Sequence, residues 1–330
     1  MPERLLILIA TNRFDPTADH VLLELRGRGA DVVRFNTEDV PVRARLTLRL
    51  SSAGPAGSLE VGGRCFDIEE IESVWYRRPG LPEPSEEIAD SLEREFAVDE
   101  SDETLLGLWR VLGCLWVSRP DALNAASYKP AQLKAAAEVG LEVPRSIITN
   151  DPEEACAFVE GLDVGTVVKP LRFGLVRETD EHQDVVFTQP VRPEDLEGGM
   201  GAVAWCPTYL QEYVPKDVEI RATVVGDEVL AAEIRSQETA ESRHDWRRAD
   251  VKDVPHLPHE LPVSVAERCV SVVKHFGLAF GAMDLIRTPD GRYVFLEVNP
   301  NGQWLWVEIL TGLPITDALC RLLMGSPTKA

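Results

Sequence analysis

The sequence predicts an α/β (α+β) protein in two parts, a doubly wound layer at the N-terminus and a larger, hairpin-rich part after it. Three observations predict this. The chain opens as strand, helix, strand, with an apolar run at Leu5–Thr11, helical spacing over Thr17–Arg28 and a second apolar run at Ala30–Phe35. Farther on, Val218–Val225 with Glu228–Ile234 and Ala279–Arg287 with Tyr293–Val298 are alternating pairs, joined by Gly226-Asp227 and by Thr288-Pro289-Asp290-Gly291. Between the two regions, Ser118-Arg119-Pro120-Asp121 marks a boundary.

The remaining elements follow in order. Leu46–Leu50 and Leu59–Val61 flank the turn-rich stretch Ser51-Ser52-Ala53-Gly54-Pro55-Ala56-Gly57, which suggests a hairpin. Ser73–Tyr76 is a short strand stopped by Arg77-Arg78-Pro79, residues 86–113 are mostly helical, and Leu115–Val117 is a strand. A helix runs from about Pro130 to Val139, with proline in its first turn and Gly140 past its end. Strands follow at Ser146–Thr149, Thr166–Lys169, Val185–Thr188 and Tyr209–Tyr213, then an amphipathic helix over 262–276 and a last helix over roughly 314–324. The expected division is residues 1–120 and 121–330, the latter with a central part at about 140–213 and a C-terminal part at 214–330.

Composition narrows the functional classes. The 330 residues are 44% hydrophobic and 27% charged, an ordinary globular balance with room for two or three subdomains. No apolar run approaches the roughly 18–20 residues that span a bilayer, so no membrane partner is expected. A net charge of −21 argues against nucleic acid, which needs basic patches. The six cysteines (65, 114, 156, 206, 269 and 320) form no CxxC pair, which fits reduced thiols in a cytoplasmic protein. His256 and His259, in a Pro-rich stretch, read as exposed loop residues. The chain carries no P-loop and no GxSxG elbow, and Gly199-Met200-Gly201 follows an acidic segment rather than a strand, a poor dinucleotide fingerprint.

Four groups of residues carry chemistry. Asp284 lies on one strand of a predicted hairpin, and Glu297 and Asn299, two apart, share a face of the other. Two carboxylates and an amide oxygen make a hard, all-oxygen site suited to Mg²⁺. The neighbours Phe280, Met283, Leu285, Phe295, Leu296 and Val298 are apolar, and carboxylates embedded there are costly without a partner. Lys129 stands at a helix start, and Lys169 ends the buried run Val167-Val168-Lys169-Pro170, where an anion such as phosphate would satisfy the charge. Leu210-Gln211-Glu212-Tyr213-Val214-Pro215 is an extended segment running into proline, whose unpaired backbone groups suit the edge of a base. Arg221, Arg235 and Arg247 come from adjacent elements and together suit a multiply anionic reaction centre.

In this order, Lys129, Lys169, Gln211–Val214, Glu219-Ile220-Arg221, Asp284 and Glu297-Val298-Asn299-Pro300, the sequence resembles the ATP-grasp superfamily. Ser73-Val74-Trp75-Tyr76-Arg77-Arg78-Pro79, Tyr128-Lys129-Pro130, Ile148-Thr149-Asn150-Asp151, Asp245-Trp246-Arg247 and Asn299-Pro300-Asn301-Gly302-Gln303-Trp304 resemble one branch of it. That branch is the ribosomal peptide maturases, or graspetide synthetases, akin to microviridin ligases. The resemblance spans essentially the whole chain and implies an ATP-grasp fold behind a Rossmann-like pre-ATP-grasp domain. It implies that ATP lies between two β-rich subdomains, with Lys129 and Lys169 on its phosphates, Glu212 and Val214 on the adenine edge within a cofactor-binding run that includes Gln211 and Tyr213, Glu219 on the ribose and Leu296 packed on the base. Asp284, Glu297 and Asn299 would hold Mg²⁺, and Arg221, Arg235 and Arg247 would steady an acyl phosphate.

The implied reaction activates Asp or Glu side chains of a precursor peptide, made of leader and core, as acyl phosphates. Ser, Thr or Lys of the same peptide then closes ω-ester or ω-amide rings, a macrocyclisation that needs no enzyme nucleophile. A homodimer is also implied by the resemblance. The alternative is a ligase that adds a free amino acid to a protein or small acid, as ribosomal-protein glutamate ligases and glutathione synthetases do. One departure stands out. The segment after the second lysine, Pro170-Leu171-Arg172-Phe173-Gly174-Leu175, has a single glycine and leads into charged Arg177–Asp184, a loop expected to order when peptide binds.

Overall fold

The structure is a computed structural model describing residues 6–172, 175–178, 183–198, 200–238, 242, 245–248, 250 and 252–325. The expected ordering of the charged loop falls largely on residues 173–174 and 179–182, outside the described residues, as do Leu5 and Gly199.

In chain order the N-terminal part contains β1 (Leu6–Thr11), α1 (Pro16–Gly27), β2 (Asp31–Asn36), β3 (Ala44–Ser51), β4 (Gly54–Val61), β5 (Arg64–Asp67), β6 (Ile71–Tyr76), α2 (Ser91–Val111) and β7 (Leu115–Val117). Strands β2-β1-β6-β7 form one parallel sheet. β1 has its successors on both sides, so the chain reverses direction across the sheet at the carboxyl ends of β1 and β6. β1 is buried at every position, as its unbroken apolar run requires. Asp15 caps α1 by accepting from the N–H groups of Thr17 and Ala18. The strands β3-β4-β5 make a separate antiparallel sheet. Its first turn is tighter than the sequence predicts. Gly54–Gly57 belongs to β4, and a Cβ on Gly57 would lie 2.1 Å from the carbonyl oxygen of Thr47, so glycine lets the strands close.

The second part runs through α3 (Pro120–Ala125), α4 (Lys129–Glu138), β8 (Ser146–Thr149), α5 (Pro152–Glu160), β9 (Thr166–Lys169), β10 (Leu175–Glu178), β11 (Gln183–Val185), β12 (Gln189–Pro190), α6 (Pro193–Gly198) and β13 (Thr208–Glu212). It continues with β14 (Val218–Val225), β15 (Glu228–Ile234), β16 (His256–His259), α7 (Val263–His275), β17 (Phe280–Arg287), β18 (Tyr293–Asn299), α8 (Leu305–Thr311) and α9 (Ile315–Leu323). Strands β12-β9-β13-β8 form one sheet and β16-β15-β14-β17-β18 another, all pairs antiparallel. Both predicted hairpins of the larger sheet are present, and β14 is its fully buried centre.

Two readings need correction. Of the expected strand Val185–Thr188 only Val185 lies in a strand, at the end of β11, and residues 186–188 form the gap before β12. Thr188 lies in the gap, its N–H donating to Asp245 Oδ2 at 3.3 Å instead of to a neighbouring strand. His256 and His259 are not exposed loop residues. They lie on β16, an edge strand that tolerates Pro258, with His256 buried and His259 bonded to Glu233 (3.2 Å) and to the Tyr293 hydroxyl (2.9 Å). The short helices α5 and α8 have no counterpart in the sequence reading, although Asp151-Pro152 is a start signal for α5.

The two parts share a core. Ile7, Ile9, Trp75 and Val117 of the parallel sheet pack in one cluster with Val225, Phe280, Trp304, Val307 and the inner face of α9. The N-terminal layer is therefore fixed against the end of the sheet that carries the acidic strands.

Candidate active site

A cavity of about 860 Å³ lies between the two antiparallel sheets of the second part. Its lining brings together Lys129, Lys169, Gln211, Glu212, Tyr213, Val214, Glu219, Arg247, Asp284, Leu296, Glu297 and Asn299, residues spread over 171 positions of the sequence. Arg221 is tied to this set through Asp284. Arg235 is not brought in. It is half-exposed and pairs with Glu233 (3.0 Å) and Glu238 (3.7 Å), its nearest acidic neighbours along the chain.

Strand register explains the acidic centre. Arg221, Asp284 and Glu297 form one cross-strand row over β14, β17 and β18. A bulge opposite Asp284/Leu285 leaves Leu296 without a partner residue and turns the following Glu297 to face Asp284. Arg221 Nη1 donates to Asp284 Oδ1 (2.7 Å), and Lys129 Nζ donates to Glu297 Oε2. Burial pushes the Asp284 carboxyl up to about 6, opposed by Arg221 and reinforced by Glu297. Burial also works to raise Glu297, but Lys129, Arg247 and Lys169 outweigh it and hold that carboxyl down.

The donor set fits a hard cation. The two carboxylates are about one-fifth exposed, at 20% and 18%, so both are reachable from the cavity. Among the described residues, side-chain donors engage Oδ1 of Asp284 and Oε2 of Glu297, which leaves a second oxygen on each for another ligand, with Asn299 also on the cavity lining. Among the described residues no three of His, Cys, Asp and Glu are arranged as a closed metal cage. A site completed by phosphate oxygens and water, as Mg²⁺ prefers, needs none.

The opposite wall comes from β9 and β13. Lys169 Nζ donates to Gln211 Oε1 (2.6 Å), and Gln211 Nε2 donates to the Tyr209 hydroxyl (2.5 Å) and to Ser146 Oγ (3.2 Å). Gln211 is buried, so it orients Lys169 from behind. Burial pushes the Lys169 ammonium down to about 8. The extended segment is partly paired: Glu212 N–H donates to Arg145 O (2.9 Å) and Tyr213 N–H to Gly165 O (3.0 Å). Glu219 Oε1 accepts from Lys216 Nζ (2.9 Å) and Ser236 Oγ (2.8 Å).

Several residues on or behind the cavity wall have no role assigned to them in the sequence reading. Lys216 is a third lysine on the cavity, buried beside Glu219, and nothing in its local sequence marks it. Gln132 on α4 donates to Val298 O (2.8 Å) and accepts from Val298 N–H (3.1 Å), fixing β18 next to Glu297. Asp245, buried, grips Arg247 with both oxygens (2.8 Å each). Trp306 stacks on Trp246 (4.9 Å between rings) and lies under the Arg221 guanidinium (5.8 Å). Among the described residues Arg221 Nε is buried without a hydrogen-bond partner, an uncompensated polar cost.

Comparison with known proteins agrees with this geometry. The family profile of the MvdD pre-ATP grasp domain matches residues 6–124, and that of the RimK-like ATP-grasp domain matches residues 126–323. The macrocyclase MdnC from Microcystis aeruginosa MRC, solved bound with precursor peptide MdnA, is similar at TM-score 0.84 and 29% identity, over 98% of this chain and 100% of that one. A RiPP-associated ATP-grasp ligase from Chryseobacterium gregarium, solved in complex with ADP and a leader and core peptide, is similar at TM-score 0.89 and 29% identity, over 98% of each chain. Among curated relatives, a probable alpha-L-glutamate ligase from Citrobacter koseri is 24% identical over 220 residues, 64% of this chain and 68% of that protein.

Proposed function

The chain belongs to the RimK-like ATP-grasp family, and from this we propose that it is an ATP-dependent carboxylate ligase that crosslinks a ribosomally made precursor peptide. The observation that carries the reading is the single cavity that unites both lysines, the acidic pair, Asn299 and the Glu212–Val214 segment. Similarity over the full chain length to a macrocyclase solved with its precursor peptide supports the substrate class.

In this reading Lys129 and Lys169 bind the phosphates of ATP. Glu212, Tyr213 and Val214 line the adenine edge with Leu296 against the base, and Glu219 reaches the ribose. Gln211 acts by orienting Lys169. Asp284, Glu297 and Asn299 hold Mg²⁺, which neutralises phosphate charge when bound. A side-chain carboxylate oxygen of the peptide attacks the γ-phosphorus, and ADP departs. A hydroxyl or amine of the same peptide then attacks the acyl carbon, loses its proton, and inorganic phosphate leaves with the carboxylate oxygen. Arg221 and Arg247 steady the anionic groups, and positioning supplies most of the acceleration. Arg235, outside the cavity lining, has no part in this scheme.

We further propose the division at residues 120 and 121, a cytoplasmic location and a homodimer. Among the described residues no helix is long and apolar enough to cross a membrane. The curated glutamate ligases favour a second reading, in which the acceptor is a free amino acid. Hydroxylamine distinguishes the shared intermediate from its absence. With ATP, Mg²⁺ and precursor peptide it traps an acyl phosphate as a peptide hydroxamate. If no hydroxamate forms while ADP accumulates, the activated carboxylate is not on the peptide.

A further inference from the structure

The segment Trp75–Pro79 and the segment Asn299–Trp304 lie more than two hundred residues apart, and the scheme above uses only Asn299 from either. The structure joins them through Arg77, one of the largest fully buried side chains of the protein at 1% exposure. Its backbone N–H donates to Ala10 O (2.7 Å), which anchors it at the carboxyl end of the parallel sheet. Its guanidinium leaves that sheet and enters the loop after β18. Nη2 donates to Gln303 Oε1 (2.5 Å), and Nη1 to the carbonyl oxygens of Asn301 (3.3 Å) and Gly302 (3.4 Å). Asp15 Oδ2 lies 3.5 Å from Nε, and the Trp75 ring is 5.6 Å from the guanidinium carbon.

Two further bonds run beside these. Asn301 Nδ2 donates to Tyr76 O (3.3 Å), and Thr17 Oγ1 donates to Gln303 Oε1 (3.3 Å). The loop so gripped has little freedom of its own. Gly302 N–H closes on Asn299 O (3.1 Å), and a Cβ on Gly302 would lie 2.7 Å from Ala282 Cβ and 3.1 Å from Asn299 Cβ. Movement of Asn301 or Gly302 therefore moves Asn299. A guanidinium buried this deeply is costly where apolar residues could join the two parts instead. Its Nη1 and Nη2 hydrogen bonds go to the loop that directly follows Asn299, the last residue of β18.

We propose that Arg77 is a positioning residue that sets Asn299 for the divalent cation, acting through the Asn301 and Gly302 carbonyls and the Gln303 side chain. The proposal rests on the ATP·Mg²⁺ reading above. Groups that orient metal ligands typically change metal affinity by about 10–100-fold when removed. The test is calorimetric titration of the full chain with ADP, with and without Mg²⁺, together with the melting temperature. The expected result is that Arg77→Met and Gln303→Met lose roughly tenfold in ADP affinity with Mg²⁺ and keep their Mg²⁺-free affinity, with Arg77→Lys intermediate. Equal losses with and without Mg²⁺, or an unchanged Mg²⁺ increment, would overturn it. If Arg77→Met does not fold, Gln303→Met and Arg77→Lys decide by the same criterion. If the wild-type protein itself gains nothing from Mg²⁺, the ligase reading fails before this one.

Discussion

Asp284 and Glu297 stand opposite each other across β17 and β18, and each has its own cation, Arg221 on Asp284 and Lys129 on Glu297. Two carboxylates sharing a buried site repel; the surrounding cations hold Glu297 down but leave Asp284 raised, so a cost remains at Asp284. A bound divalent cation would offset the rest. Asp284→Asn and Glu297→Gln, which keep shape and hydrogen bonding, are expected to lower peptide-dependent ADP production roughly 100-fold or more. A coupled ADP assay across a Mg²⁺ series checks this. Full activity in either variant would remove that side chain from the metal site.

Lys169 gives a pH prediction. Burial lowers its ammonium to about 8, with Glu297 opposing and Lys129 adding to the shift. A lowered lysine pKa means the charge is present below about pH 8 and lost above it. Affinity for ADP should therefore be greatest below that point and fall by up to about tenfold one unit above it. Lys169→Arg, which stays charged, should flatten the profile. Titrations at about pH 7 and about pH 9 are sufficient, and an identical fall in both proteins would assign the effect to another group.

Gly302 is a packing prediction. A methyl at this position meets Ala282 and Asn299 within 2.7–3.1 Å. Gly302→Ala should cost about 1–3 kcal/mol in chemical denaturation, the usual range for overpacking, and should reduce ADP production. A variant as stable as the parent would mean that the loop relaxes freely.

The arginines should separate. Arg247, clamped by Asp245 at the cavity, should lose roughly 100-fold in activity as Arg247→Ala. Arg235 is 44% exposed among Glu233 and Glu238, and Arg235→Ala should stay within about threefold of the parent, as surface pairs of this kind contribute little. Initial rates with saturating ATP compare them directly, and a reversed order would contradict the assignment.

Much of this was legible because local pattern and long-range chemistry coincide. Glu297 and Asn299, two apart in an apolar strand, announce one face of a hairpin, and the register places Asp284 opposite. Lys169 among valines announces a buried cation, and the structure supplies Gln211 behind it. What escaped depends on contacts that spacing does not encode. Lys216 and Gln132 join the site through tertiary approach alone. His256 reads as a loop residue because Pro255 and Pro258 flank it, yet pairing with Ile234 on an edge strand overrides that local signal. Arg235 alternates into the right position along the chain but lies past the end of β15, where nearby acids capture it. The link from Arg77 to Gln303 crosses 226 residues, beyond any sequence period.

Intact-mass spectrometry of a candidate precursor peptide, encoded beside the gene, after incubation with the protein, ATP and Mg²⁺ decides whether the protein crosslinks a peptide. The expected result is loss of one water per crosslink, matched by one ADP and absent in Asp284→Asn. Gain of an amino-acid mass, or ADP formation with an unchanged peptide, would contradict it.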